Sequence, residues 1–388
     1  MKTKTASLKV TLMAALVTIG LVGGVGAFSA TARASVSPDS ATTGARFVQH
    51  SESATPTTTV PSTATDSGGL IIDGPSRSEC LAPNVVGSGL GALQTAVTKF
   101  DNLTDTSVSC ISTYLNGATN WSTWEHPWVA KTQFGYTSWV AEDPQSRQLV
   151  LQVDLIPNNL KNVRNPLSWE SSCAAGNFSA HATVLGTSLV TAGLANSVIR
   201  LGAEMNGTWE SDYLGSTSTE QQLWVRCFRN EVTGLRRAVG QHFLIDWNPN
   251  PCTNDPAYSR FYPGNAYVNI IGLDLFDVSC SAPATKYSFT RLADEPGGLA
   301  GIQTFASAHR KPMSLPEWGL VTSPAGDDPA FVDGIGAAVD GKDYAFETYF
   351  DGSGVRIKVL PLGSRTPLSL TAFQRWFSGG TKRAVAHS

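Results

Sequence analysis

The chain has 388 residues, of which 15% are charged and 41% hydrophobic, and a formal net charge of −3. Residues 1–34 hold three Lys and one Arg but no acid, so the remainder carries 24 basic against 31 acidic residues, a formal charge of −7. That balance disfavours nucleic acid and anionic lipid as partners; six scattered His and no HExxH pattern give no zinc signal, and neither metal nor cofactor is expected.

The chain opens with Lys2, Lys4 and Lys9, then an apolar run from Val10 to about Phe28, then Ala32-Arg33-Ala34 as a small-x-small cleavage site. This order predicts a secretory signal peptide over 1–34, hence an extracellular or wall-associated protein with no stable membrane insertion after cleavage. Residues 35–78 are rich in Ser, Thr and Pro and read as a flexible stalk, because they cannot bury enough apolar surface to offset ordering entropy. From 79 to 388 the composition is globular, and roughly 310 residues suit one (β/α)8 barrel, expected as a monomer. Six cysteines, Cys80, Cys110, Cys173, Cys227, Cys252 and Cys280, contain no CxxC pair and allow up to three disulfides. Cys252 and Cys280 follow two successive predicted strands and are expected to pair; the other pairings stay open.

Apolar strand candidates fall at 108–114, 149–156, 198–204, 242–249, 268–276, 313–317 and 343–350. Helical spacing appears between them over Ser179–Ala195 and Thr219–Ala238. Strand alternating with helix predicts a parallel sheet with crossover helices. An eighth strand is expected between 116 and 198, concealed in the loop-like stretch 157–178.

Two of these strands deliver a carboxylate near their ends. Val198–Glu204 runs into Met205-Asn206-Gly207-Thr208-Trp209, and Met313–Glu317 runs into Trp318-Gly319, 113 residues from one Glu to the other. Two carboxylates on separate strand ends are what glycoside hydrolysis needs. Strand alternation sends Val198, Arg200, Gly202 and Glu204 to one face, read as the barrel interior, and Ile199, Leu201 and Ala203 to the helix layer. The same parity groups Met313 with Leu315 and Glu317, Phe243 with Ile245 and Trp247, and Ile270 with Gly272, Asp274 and Phe276. Polar and aromatic groups thus gather toward the C-terminal strand ends, where barrel active sites lie. Trp247, Trp318 and Trp209 are the expected stacking surfaces for a sugar, and Asn206 is read as an orienting amide. Trp121, Trp124 and Trp128 fit either a glycone subsite or a core-facing helix stripe.

The run Arg200-x-x-x-Glu204-Met205-Asn206-Gly207-x-Trp209, followed by Asp246-Trp247-Asn248-Pro249-Asn250, Ile271-Gly272-Leu273-Asp274 and Pro316-Glu317-Trp318-Gly319, resembles glycoside hydrolase family 26, the mannanase-like retaining β-glycanases. The resemblance implies a (β/α)8 fold, Glu204 at the end of strand four as general acid/base and Glu317 at the end of strand seven as nucleophile. Arg200 and Asp274, on the interior faces of their strands, are read as substrate-binding residues, and the resemblance implies a polysaccharide substrate. Family members usually carry His just before the acid/base and Tyr on strand six near the nucleophile; this chain has Ala203 and Phe276 there, which marks a divergent member. The expected function is a secreted endo-acting glycosidase on a β-linked mannan, glucan or cell-wall glycan. A barrel that binds carbohydrate without turning it over is the alternative; a serine hydrolase lacks its GxSxG motif here.

Overall fold

Eight short parallel strands, each buried on both faces, alternate with helices and close into a (β/α)8 barrel. The computed structural model describes residues 78–379 except 85–87, 116, 162–167, 252–256, 280–283 and 353–357. The predicted signal peptide, nearly all of the Ser/Thr/Pro-rich stalk, and the Cys252–Cys280 pair lie outside the described residues. In chain order the strands are β1 (Ser78–Pro83), β2 (Cys110–Tyr114), β3 (Gln148–Val153), β4 (Val198–Leu201) and β5 (Leu244–Trp247). β6 follows in two pieces, Ile270–Gly272 and Leu275–Phe276, then β7 (Met313–Gly319) and β8 (Tyr344–Asp351). β1 pairs with β8 on one side and β2 on the other, and β6 pairs with β7, so the ring is complete.

The eighth strand is therefore β1, ahead of the seven expected ones. The stretch 157–178 instead holds a 3-10 turn, Asn158–Leu160, and a short helix, Trp169–Ala174. β1 reads Ser-Glu-Cys-Leu-Ala-Pro, with no β-branched residue and a terminal proline. Strand propensity is weak there, and pairing along both edges supplies what propensity does not. The two long helices lie close to their predicted spans, at Ser179–Thr191 and Ser218–Leu235. Thr217 caps the second through a capping box with Glu220, which satisfies the first-turn N–H groups. Among the described residues no helix is long and apolar enough to cross a membrane.

The barrel interior is layered. At the N-terminal ends Cys80, Cys110, Val150, Val198, Leu244, Ile270, Ala345 and Phe346 form an apolar plug with inputs from seven strands. Above it lies a polar layer in which Arg200 and Asp246 are fully buried and Ser314 Oγ donates to Asp246 Oδ2 at 3.0 Å. Outside, Ile199, Leu201, Ile245, Trp247, Ile271, Leu315 and Trp318 belong to the large apolar cluster between barrel and helices. Two disulfides tie the frame: Cys80–Cys110 joins directly opposed residues of β1 and β2, and Cys173–Cys227 joins the helices Trp169–Ala174 and Ser218–Leu235.

Candidate active site

The site is built on Arg200, whose guanidinium projects from β4 into the interior and is 0% exposed. Nη1 donates to Glu317 Oε1 at 2.8 Å, Nη2 to Asp274 at 2.8 and 3.1 Å, and Nε to Asn248 Oδ1 at 3.3 Å. Asn248 Nδ2 closes the network on Asp274 Oδ2 at 2.8 Å. Burial opposes a charged guanidinium, but Asp274 and Glu317 outweigh it and hold the Arg200 pKa above its ordinary value. Burial pushes the Asp274 carboxyl up, with the Arg200 charge opposing. One cation thus fastens two carboxylates from β6 and β7, a geometry suited to the forked donors of arginine.

Glu204 reaches the same space by a different route. β4 ends at Leu201, and Gly202 and Glu204 both take left-handed backbone, at φ 54° and 53°. Strand parity stops there, and a Cβ on Gly202 would fall 2.9 Å from Trp224 in the helix layer rather than inside the barrel. A non-glycine residue at such φ is strained, and strain of this kind concentrates at functional sites. The Glu204 N–H donates to Asn248 O at 2.8 Å, which anchors the turn to the residue after β5. Its carboxylate takes two donors: Trp209 Nε1 on Oε2 at 2.6 Å and Asn250 Nδ2 on Oε1. Burial raises the Glu204 pKa, the Glu317 charge adds to that, and the Trp209 and Asn250 hydrogen bonds and Arg200 pull it back. Trp209 therefore acts on Glu204 mainly as a donor. Gly207 makes room for it, since a Cβ there would sit 2.4 Å from the indole.

Asn206 has a different place from the one expected. Its Nδ2 donates to Asn250 O at 2.7 Å and its Oδ1 accepts from Asn250 N at 2.8 Å, so it locks the residue that donates to Glu204. Trp247 and Trp318 are corrections. Both are 0% exposed and face outward from the barrel. Trp247 packs against Phe261 and Tyr262, with ring centroids at 5.6 and 5.2 Å. Trp318 stacks on Phe373 and Phe377 and donates Nε1 to Glu347. On β5 the interior side chains are Leu244, Asp246 and Asn248, in step with Arg200, which lies opposite Asp246. On β7 the register against β8 shifts between Leu315 and Trp318. That bulge turns Glu317 inward although Met313 and Leu315 lie in the outer cluster, so the parity that grouped the three does not hold. β6 does follow its expected parity: Ile270 lines the interior plug, Asp274 meets Arg200, and a Cβ on Gly272 would fall 2.6 Å from Ser314 Oγ.

Three contributors had no role assigned from sequence. Asn248 and Asn250 belong to a quoted motif, and the interior parity of β5 was the signal for the first. Tyr114 ends β2; its hydroxyl is buried without a hydrogen-bond partner among the described residues, and burial followed by the Glu317 charge raises its pKa. Its ring lies 6.0 Å from Phe350, which in turn meets Phe276 edge-on at 6.0 Å, an aromatic wall beside the carboxylates. The tryptophans after β2 are mostly structural: Trp124 is buried and donates to Asp154 O at 2.9 Å, Trp128 donates to Tyr114 O at 3.2 Å, and Trp121 stacks on His181.

The sequence model of glycosyl hydrolase family 26 matches residues 111–295. A family 26 β-mannanase from Bacteroides ovatus superposes with a TM-score of 0.53 at 15% identity, over 72% of this chain and 82% of that one. An engineered protein gives 0.54 at 15% identity, over 79% and 69%. No curated protein matches the sequence. At such identity the structural likeness speaks for the barrel alone, while the sequence match spans β2 to β6 and includes Arg200, Glu204, Asn248 and Asp274. Over residues 111–295 the chain is thus similar to glycosyl hydrolase family 26, on a barrel of the same architecture.

Proposed function

We propose that the chain is a secreted, retaining, endo-acting hydrolase of a β-linked polysaccharide, with Glu317 as nucleophile and Glu204 as general acid/base. The observation that carries this reading is the contrast between the two carboxylates. Glu317 rests on the buried Arg200 guanidinium, whereas Glu204 is half-buried with a raised pKa and has no cation in direct contact among the described residues. That division of environments is how paired carboxylates are assigned acid and nucleophile roles. In the first step a Glu317 oxygen bonds to the anomeric carbon as the glycosidic C–O bond breaks, and the Glu204 proton passes to the leaving oxygen. In the second, Glu204 takes a proton from water, the water oxygen bonds to the anomeric carbon, and the Glu317 ester bond breaks, with net retention. Arg200 and Asn250 hold the two groups; Asn206 and Asn248 hold those in turn.

A β-mannan is the first substrate to try, since the Bacteroides ovatus neighbour is a β-mannanase. Export is supported by the leader-like residues 1–34 and by two disulfides, which persist in oxidising compartments. The test is oligosaccharide release from β-mannans, β-glucans, xylans and wall arabinogalactans by the protein and by Glu317→Ala. Products from one polymer that vanish in the variant support the reading and name the substrate. A polymer retained equally by both proteins and cleaved by neither would replace it with a binding barrel.

A further inference from the structure

Three carboxylates outside the catalytic pair converge at the barrel mouth. Asp154 follows β3, while Glu210 and Asp212 lie on the loop after β4, and one oxygen from each lies within 4.8 Å of the other two. The backbone around them is braced: Trp124 Nε1 donates to Asp154 O and Trp224 Nε1 to Asp212 O, both at 2.9 Å. Ser211 Oγ donates to Asp154 Oδ2 at 3.2 Å. Asp212 is 0% exposed. Oδ2 accepts the Leu155 N–H at 2.7 Å; Oδ1 is buried without a hydrogen-bond partner among the described residues. A bare carboxylate oxygen in the interior is costly unless something positive meets it. The cation acting on Asp154 and Asp212, Lys161, is an exposed side chain.

We propose that Asp154, Glu210 and Asp212 form a calcium site that fastens the loop after β3 to the loop after β4. The donors are all oxygen, the class that hard divalent cations take. Oxygens at 2.3–2.6 Å from one Ca2+ stand at most about 5 Å apart, and three oxygens within 4.8 Å of one another fit inside that limit; Mg2+ dehydrates reluctantly and is seldom held by protein carboxylates alone. The bound ion would fix Glu210, and with it the adjoining Trp209 that donates to Glu204. The site would therefore position the acid/base without touching substrate.

The test is calorimetric titration of the chelator-treated full chain with CaCl2 at pH 8, alongside thermal melts. One Ca2+ per chain is expected, with Tm rising by about 5 °C at a hundredfold excess over Kd. Glu210→Gln, a half-buried change that removes no internal hydrogen bond, should weaken binding at least tenfold, and Asp212→Asn should abolish it. Should Asp212→Asn fail to fold, Glu210→Gln decides alone. The proposal is overturned by absence of heat and of any Tm shift at 10 mM CaCl2, by binding of MgCl2 in preference to CaCl2, or by a Ca2+ affinity unchanged in Glu210→Gln. Because the readout is binding without substrate, it stands apart from whether any polysaccharide is cleaved.

Discussion

Trp209→Phe isolates the hydrogen bond that the indole gives Glu204. The phenyl ring keeps the packing over Gly207 and removes only the Nε1 donor, which lies 2.6 Å from Glu204 Oε2. A donor to a carboxylate favours the ionised form, so this contact lowers the Glu204 pKa against burial and the Glu317 charge, which raise it. Hydrogen bonds to charged groups contribute about 1.5–3 kcal/mol, and one pKa unit corresponds to about 1.4 kcal/mol. Removing the donor should therefore raise the Glu204 pKa by a further 1–2 units or so. As general acid Glu204 must be protonated, so the alkaline limb of the kcat/KM profile should move to higher pH by that amount. The assay is initial rates from pH 4 to pH 10 on the polymer found by product release, with kcat and KM separated. An alkaline limb that stays in place or moves to lower pH refutes the argument, as does a uniform loss at every pH.

Arg200→Met leaves Asp274 and Glu317 buried without their shared cation, and should destabilise the fold by about 3–5 kcal/mol in chemical denaturation while abolishing turnover. Trp247→Leu, in the layer outside the barrel, should lower stability by about 3 kcal/mol with KM unchanged; a raised KM would put the indole back in the site. Glu231 is fully buried beside the Cys173–Cys227 disulfide, and burial raises its pKa to about 8. Since the folded value exceeds the unfolded one, the stability it lends is present below about pH 4 and lost as pH rises through 8. Tm should fall from pH 6 to pH 9, and less so in Glu231→Gln; equal slopes in the two proteins would count against it.

Periodicity alone located seven strands because each is apolar and bounded by polar turns, and it misplaced the eighth because Ser78–Pro83 looks like the end of a polar segment. Its strand character comes from two neighbouring strands, which no local window contains. Alternation assigned Arg200 and Asp274 to the interior correctly, since β4 and β6 keep regular register up to those residues. It gave Glu317 the right face for the wrong reason, because a bulge resets β7, and it had no power over Glu204, which lies beyond the strand in left-handed backbone. Trp247 and Trp318 misled for a simple reason: a large aromatic next to a catalytic motif serves the helix layer as well as it serves a ligand, and only three-dimensional packing separates the two. The asparagines were legible as a motif but not as a relay, since their partners come from different strands.

The Cys80–Cys110 bond has a mechanical consequence. β1 is matched to β8 over six residue pairs but to β2 over only two, and one of those two is the cystine itself. Any tension along the chain ahead of residue 78 enters the barrel through β1, and the seam on the β2 side has little ladder with which to resist peeling. The covalent link passes that load to β2, and through its five-residue register to β3, so force is shared by three strands before the ring can open. A barrel pulled from its N-terminal side would thus yield elsewhere first.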